Sequence, residues 1–303
     1  MEIIKRIEEL NQKLAGGTSP AMATPIDRKT GQVALDVIPK LVDFLISHGV
    51  RGLFVGGTTG EGIFLDVEQR KKLHEITVSA VAGRVPVLVH TGALTTETAL
   101  DLAHHAAEIG ADAMAAVTPI FYGMHEDALA GYFKAIANAA PQVPLFAYDI
   151  PHMAINGVSP GLARHLFEEL PSMAGMKCSN PDAQAIRRLL DVIPEGRILL
   201  AGNEAIALGS LAMGAAGMIS GLATAVPEPL VALTDAFTFG DIVEARYQQR
   251  KINRLLAVIP AGKRIGAIKA ILEARGIPVG PPISPLPEVS NEVWAEIAEI
   301  LKE

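Results

Sequence analysis

Lys177 carries the most chemical consequence in this chain because of where it stands. It lies in PSMAGMKCSNPD (171–182), inside a short apolar run that reads as a buried strand. A buried ammonium is costly, so a lysine there is paired, reaches water along its stem, or loses its proton. In the last case the free amine is a nucleophile that can condense with a ketone to a Schiff base. Strand alternation puts Ser179 on the same side as Lys177 and Cys178 on the other, so the thiol reads as a small apolar filler. On the preceding apolar run Phe146, Tyr148 and Ile150 share one face. An inward Tyr148 would meet Lys177 across neighbouring strands, where a phenol beside an amine can move a proton. The alternative is a core tyrosine with a satisfied hydroxyl.

GGTTGEG (56–62) is the second chemical signal. Its glycines let backbone approach a ligand, and Thr58 and Thr59 offer hydroxyls and amides to a carboxylate. An ordinary strand–helix turn with threonine caps would look the same. Glu61 reads as a first-turn acid of the next helix or as a structural acceptor. Among the histidines, His104 and His105 are adjacent on a helix and cannot share a face, while His90 and His152 sit at strand ends. With no HExxH or carboxylate-rich spacing, no metal is expected. His152 is taken as a specificity residue.

These residues need a scaffold, and composition bounds it. The chain has 303 residues, half of them hydrophobic, and a net charge of -7 without a long basic run. Mean hydropathy is +0.31 and aromatics are few, the balance of an alanine- and valine-rich α/β protein. Nucleic acid is not an expected partner, and no apolar stretch has the length of a membrane span. The charged N-terminus argues against a signal peptide, and the lone cysteine excludes an internal disulfide; a cytoplasmic protein is expected.

Apolar strands are predicted at 21–25, 52–57, 85–91, 113–118, 144–150, 173–178, 198–202 and 217–220. Helices are predicted between them at 38–48, 67–82, 96–109, 127–139, 160–170, 182–192, 205–213 and 227–237. Eight alternations at roughly thirty-residue intervals predict a (β/α)8 TIM barrel with its loops converging on the C-terminal face. An open doubly wound sheet fits less well, since no dinucleotide fingerprint follows the first strand. A helix with Ile3, Ile7, Leu10 and Leu14 in phase precedes the barrel, packed on the barrel bottom or on a neighbouring subunit. The division predicted is an N-terminal helix over 1–18, the barrel over 19–240 and a C-terminal helical extension over 241–303.

In order and approximate spacing, GGTTGEG, YDIP, GMKCSNPD and AGNEAIALGSLAMGAAGMIS resemble the dihydrodipicolinate synthase/N-acetylneuraminate lyase family of pyruvate-dependent class I aldolases. The resemblance runs from about Ser19 to the end and includes GPPISPL. It implies that Lys177 is the Schiff-base lysine and Tyr148 the proton-transferring tyrosine, and that Thr58 and Thr59 hold the pyruvate carboxylate. It further implies a (β/α)8 barrel with three C-terminal helices, a homotetramer, and no cofactor, since the imine is the electron sink.

Two departures bear on substrate. TPIFYG places Phe121 where many members have a relay tyrosine, and phenylalanine transfers no proton. YDIPHM places Met153 where the synthases have an arginine, and Met cannot pair a carboxylate. AGNE resembles AGFDE of the lyases, which implies that Gly202, Asn203 and Glu204, with Ser179, face a polyol tail; a helix cap and first-turn acid would need no ligand. The expectation is cleavage or formation of a 2-keto-3-deoxy (sugar) acid from pyruvate and an aldehyde. The alternatives are dihydrodipicolinate synthase, a keto-deoxy sugar acid dehydratase, and a keto-acid sensor without turnover.

Overall fold

The alternation of apolar strand and amphipathic helix folds into a closed ring. The computed structural model describes residues 2–302. Its strands are β1 (Thr18–Pro20), β2 (Leu53–Val55), β3 (Val87–His90), β4 (Ala113–Val117), β5 (Leu145–Asp149), β6 (Met173–Cys178), β7 (Ile198–Ala201) and β8 (Gly217–Ser220). All are parallel, in the order β1-β8-β7-β6-β5-β4-β3-β2. The seam between β1 and β2 is crossed by a parallel bridge from Ala21 to Phe54, with Met22 N donating to Phe54 O at 2.8 Å. The fold is a TIM barrel.

Each predicted barrel helix forms within two residues of its expected ends. Several open on a side chain that accepts from the first turn, as Asp66, Thr95, Ser159 and Asp182 do, each cap contributing about 1 kcal/mol. The first strand is a correction. It runs Thr18–Pro20, not 21–25, because Thr18 to Pro20 pair with Met218 to Ser220, while the next residues cross the rim. There they bond outside the ladder, Ala23 N to Thr224 Oγ1 and Thr24 Oγ1 to Gly60 O.

Apolar side chains divide by strand parity into two layers. Phe54, Leu88, Ala115, Phe146, Tyr148 and Leu200 fill the barrel interior. Leu53, Val89, Met114, Ala147, Met176 and Cys178 pack outward against the helices. The helix Glu2–Leu14 closes the bottom, its Ile7, Leu10 and Leu14 joining the interior layer. Asn11 fixes it by donating to Ala174 O and Gly196 O. The last helices, Ile242–Ala257, Arg264–Ala274 and Asn291–Ile300, add Ile252, Ile268, Leu272 and Ile297 to the outer layer, so barrel and extension share one core. Among the described residues no helix is long and apolar enough to cross a membrane.

Candidate active site

Lys177 faces the barrel interior because β6 is irregular. Met173 and Met176 both pack outward although they stand an odd number of residues apart. Between them the register slips: Leu145 pairs with Met173 and Phe146 with Gly175, leaving Ala174 unpaired and inside. This one-residue shift moves Lys177 from the helix side to the interior. Gly175 permits it, since a Cβ there would overlap Ile198 O and lie 2.8 Å from Phe146 Cε1.

The ammonium of Lys177 is buried between two aromatic faces, 4.0 Å from the Tyr148 ring centroid and 4.1 Å from that of Phe54. Burial pushes its pKa below the usual lysine range, opposed by Tyr148 and the negative charge of Glu204. The rings offset part of the lost hydration of the cation, yet leave the amine easier to deprotonate than a surface lysine. Tyr148 is its partner across β5 and β6, and the Tyr148 hydroxyl lies 3.1 Å from Thr58 Oγ1. Phenol, threonine and amine therefore form one cluster at the C-terminal ends of β2, β5 and β6. Thr59 faces Gly221, where a Cβ would come 2.5 Å from Thr59 Oγ1 and 3.7 Å from Glu204 Oε1. The absent side chain thus leaves room for Thr59 beside the turn that Glu204 holds.

Behind the amine, Cys178 points outward and donates to Asp149 Oδ2 at 3.5 Å. Burial, with Asp149 beside it, pushes the thiol up to about 12, so it is inert at neutral pH. Asp149, whose carboxyl is raised by burial, accepts from Val158 N at 2.8 Å through Oδ1 and so anchors the loop after β5. That loop begins with the short helix Pro151–Ala154, absent from the predicted elements.

On the opposite wall, Ser179 and Gly202 meet at the ends of β6 and β7, where a Cβ on Gly202 would overlap Ser179 Oγ. Asn203 caps its own helical turn, Oδ1 accepting from Ala205 N at 3.1 Å. Glu204 is buried, with Oε1 accepting from Ser220 Oγ at 3.0 Å and Leu222 N at 3.1 Å, and Oε2 2.8 Å from Arg264 Nη2. Burial alone would raise its carboxyl, but Arg264 and these donors outweigh it and hold the group below the usual range. Glu204 is therefore a paired carboxylate. Its cation comes from the helix Arg264–Ala274, distant in the chain, where no local pattern marks it.

Glu61 is a structural acceptor and not a helix first-turn acid. It is buried with φ +54°, receives Ile283 N at 2.5 Å, and pairs with the buried Lys269 Nζ at 2.5 Å. His90 also lies in the site wall, with Nε2 facing Val117 N at 3.2 Å and Nδ1 facing Arg70 Nη2 at 3.2 Å. Val117 N donates to Nε2, a bond that a proton on Nε2 would displace, and burial with Arg70 and Lys177 pushes the pKa of His90 well below the usual value. Arg70 is itself buried and bonded to His90 O and Gly92 O, its pKa lowered by burial to about 10. His90 is therefore a neutral wall.

Phe121, Met153 and His152 are not gathered round Lys177. Phe121 is 77% exposed at φ +79° with Tyr122 edge-on beside it, and Met153 is 61% exposed. His152 is exposed next to Met153. All three stand on the rim.

The dihydrodipicolinate synthetase family model matches residues 14–303. The chain belongs to that family. It is 31% identical over 287 residues to a 4-hydroxy-tetrahydrodipicolinate synthase of Exiguobacterium, covering 95% of this chain and 97% of the relative. It is 32% identical over 298 residues to the mouse N-acetylneuraminate lyase, covering 96% and 93%. The wild-type sialic acid aldolase of Ruminococcus gnavus superposes with a TM-score of 0.91 at 29% identity, covering 96% of each chain. Its catalytic lysine mutant gives a TM-score of 0.91 at 28% identity, covering 96% of this chain and 95% of that one. Both synthases and lyases are therefore similar to this chain at nearly equal distance. The family is one of pyruvate-dependent class I aldolases, and this chain is an enzyme of that class.

Proposed function

We propose that this enzyme makes or cleaves a 4-hydroxy-2-keto acid, a 2-keto-3-deoxy acid in sugar terms, through a Schiff base on Lys177. The carrying observation is the buried amine stacked on Tyr148 while the Tyr148 hydroxyl contacts Thr58. Thr58 and Thr59 take the pyruvate carboxylate, and the Lys177 amine attacks the ketone carbon, whose oxygen leaves as water as the C=N bond of the imine forms. In cleavage, Tyr148 accepts the proton of the C4 hydroxyl, the C3–C4 bond breaks into aldehyde and enamine, and the electrons settle on the imine nitrogen. Protonation at C3 and hydrolysis then release pyruvate and the free lysine. No organic cofactor or metal enters this sequence of steps. We assign a homotetramer and a cytoplasmic location; exposed Leu94, Phe121 and Tyr122 on one rim support the first, and the use of a single, buried cysteine supports the second.

The test is borohydride reduction with pyruvate followed by peptide mass mapping. A pyruvyl adduct on Lys177, absent in Lys177→Met, is expected at neutral pH. An adduct on another lysine, or none, overturns the proposal.

A further inference from the structure

Beside the Tyr148 hydroxyl lies a cavity of about 240 Å³ that reaches from Thr58 and Tyr148, at the reacting centre, out to an apolar wall with no role in the steps on pyruvate. Its wall combines Ile63 and Phe64 from the loop after β2, Ile120 from the loop after β4, Ile150 and Met153 from the loop after β5, and Leu286 from the segment between the helices Arg264–Ala274 and Asn291–Ile300. Its surface is mostly apolar. The polar side chains at its edge are Thr58, Glu61, His90 and Tyr148. Glu61 is engaged by Lys269 and Ile283 N, and His90 by Arg70 and Val117 N. Thr58 and Tyr148 bond to each other at the reacting centre. Among the described residues, no other side chain of this wall can hold the hydroxyls of a sugar chain. Asn203 and Glu204, the groups suited to a polyol, lie outside the cavity, Glu204 bonded on both oxygens and Asn203 Oδ1 accepting from Ala205 N.

Given the Schiff-base chemistry proposed above, on which this rests, we infer that the aldehyde partner carries an apolar tail, branched aliphatic or aromatic, seated in this cavity. The reacting atoms fix the direction. The aldehyde oxygen must touch the Tyr148 hydroxyl, because that oxygen gains the proton as C3 of the pyruvate enamine bonds to the aldehyde carbon. Water then hydrolyses the iminium, which frees Lys177 and the 4-hydroxy-2-keto acid. With the oxygen at Tyr148, the cavity that borders the same hydroxyl takes the substituent. An apolar tail would expel water from an apolar wall, whereas a polyol would lose hydrogen bonds to water with few replacements.

The experiment compares 3-methylbutanal and benzaldehyde with glyceraldehyde and erythrose as acceptors, with pyruvate consumption as readout and the borohydride-trapped pyruvate adduct measured in parallel. The apolar aldehydes should exceed the polyols by about tenfold or more in kcat/KM. Phe64→Ser alters a half-exposed side chain, so the fold is preserved. It should lower kcat/KM for the apolar aldehydes about tenfold while changing that for glyceraldehyde less than about twofold. Polyols turned over as well as or better than apolar aldehydes, with a normal pyruvate adduct, would overturn the apolar subsite and leave the Schiff base standing. An equal loss on both acceptors in Phe64→Ser would overturn it too. Absence of the pyruvate adduct would remove the Schiff-base chemistry and this inference together.

Discussion

A lysine in an apolar run is legible from sequence, but its fate is not. Lys177 and Lys269 both sit among buried apolar neighbours, in GMKC and RIGAIKAIL. One stacks on two aromatic rings and the other pairs with Glu61. The distinction depends on partners supplied from distant parts of the chain, which local patterning does not encode. The cost of burying Lys177 has a measurable consequence. Its folded pKa is lowered from 10.5, so between that lowered value and 10.5 the unfolded chain binds more protons than the folded one. Stability of the wild type therefore rises with pH across that window. Lys177→Met removes the cost and should be more stable at neutral pH, with an advantage that shrinks as pH climbs towards 10.5. Urea unfolding at several pH values checks this. A Met variant no more stable at pH 7, or a gap that does not change with pH, would contradict it.

At the scale of elements, sequence periodicity gave the helices well because each has an apolar stripe and most have a capping residue. β1 was displaced because AMATP is longer and more apolar than the adjacent TSP, and only pairing with β8 puts the strand at TSP. The β6 slip was hidden for a related reason: simple alternation counted back from Lys177 would turn Met173 inward, and only the partner register reveals the extra residue. Gly175 is the hinge of that slip. Gly175→Ala would press a methyl on Ile198 O and Phe146, costing about 1–3 kcal/mol. By shifting Lys177 relative to Tyr148 it should also slow trapping by pyruvate, by up to about 100-fold. Denaturant unfolding and the rate of adduct formation measure the two effects. Wild-type stability and rate would show that the slip does not depend on this glycine.

Across the whole molecule, the helix Arg264–Ala274 acts on both sides of the active site. Arg264 neutralises Glu204 on the loop after β7, and Lys269 neutralises Glu61 on the loop after β2. The extension was legible as helices, but its cations were not legible as parts of the site. Glu61 belongs to the turn that presents Thr58 and Thr59, with Glu61 N donating to Thr58 O and Gly62 N to Gly57 O. Lys269→Met leaves a buried carboxylate without its cation and should cost about 3–5 kcal/mol. The exposed pair of Arg28 and Glu288, which also ties the segment before the last helix to the barrel, should contribute under about 1 kcal/mol. Adding Glu61→Gln to Lys269→Met removes the charge yet keeps an acceptor for Ile283 N, so the double variant should regain most of the loss. Because the pair is buried, the effect should persist in high salt. The single variant should also need more pyruvate for half-maximal trapping, since the loosened turn carries both threonines. Unfolding of the two single variants and the double variant, at low and high salt, closes the cycle. A double variant as unstable as Lys269→Met alone would mean that packing by the lysine stem, and not its charge, fastens the extension to the catalytic loop.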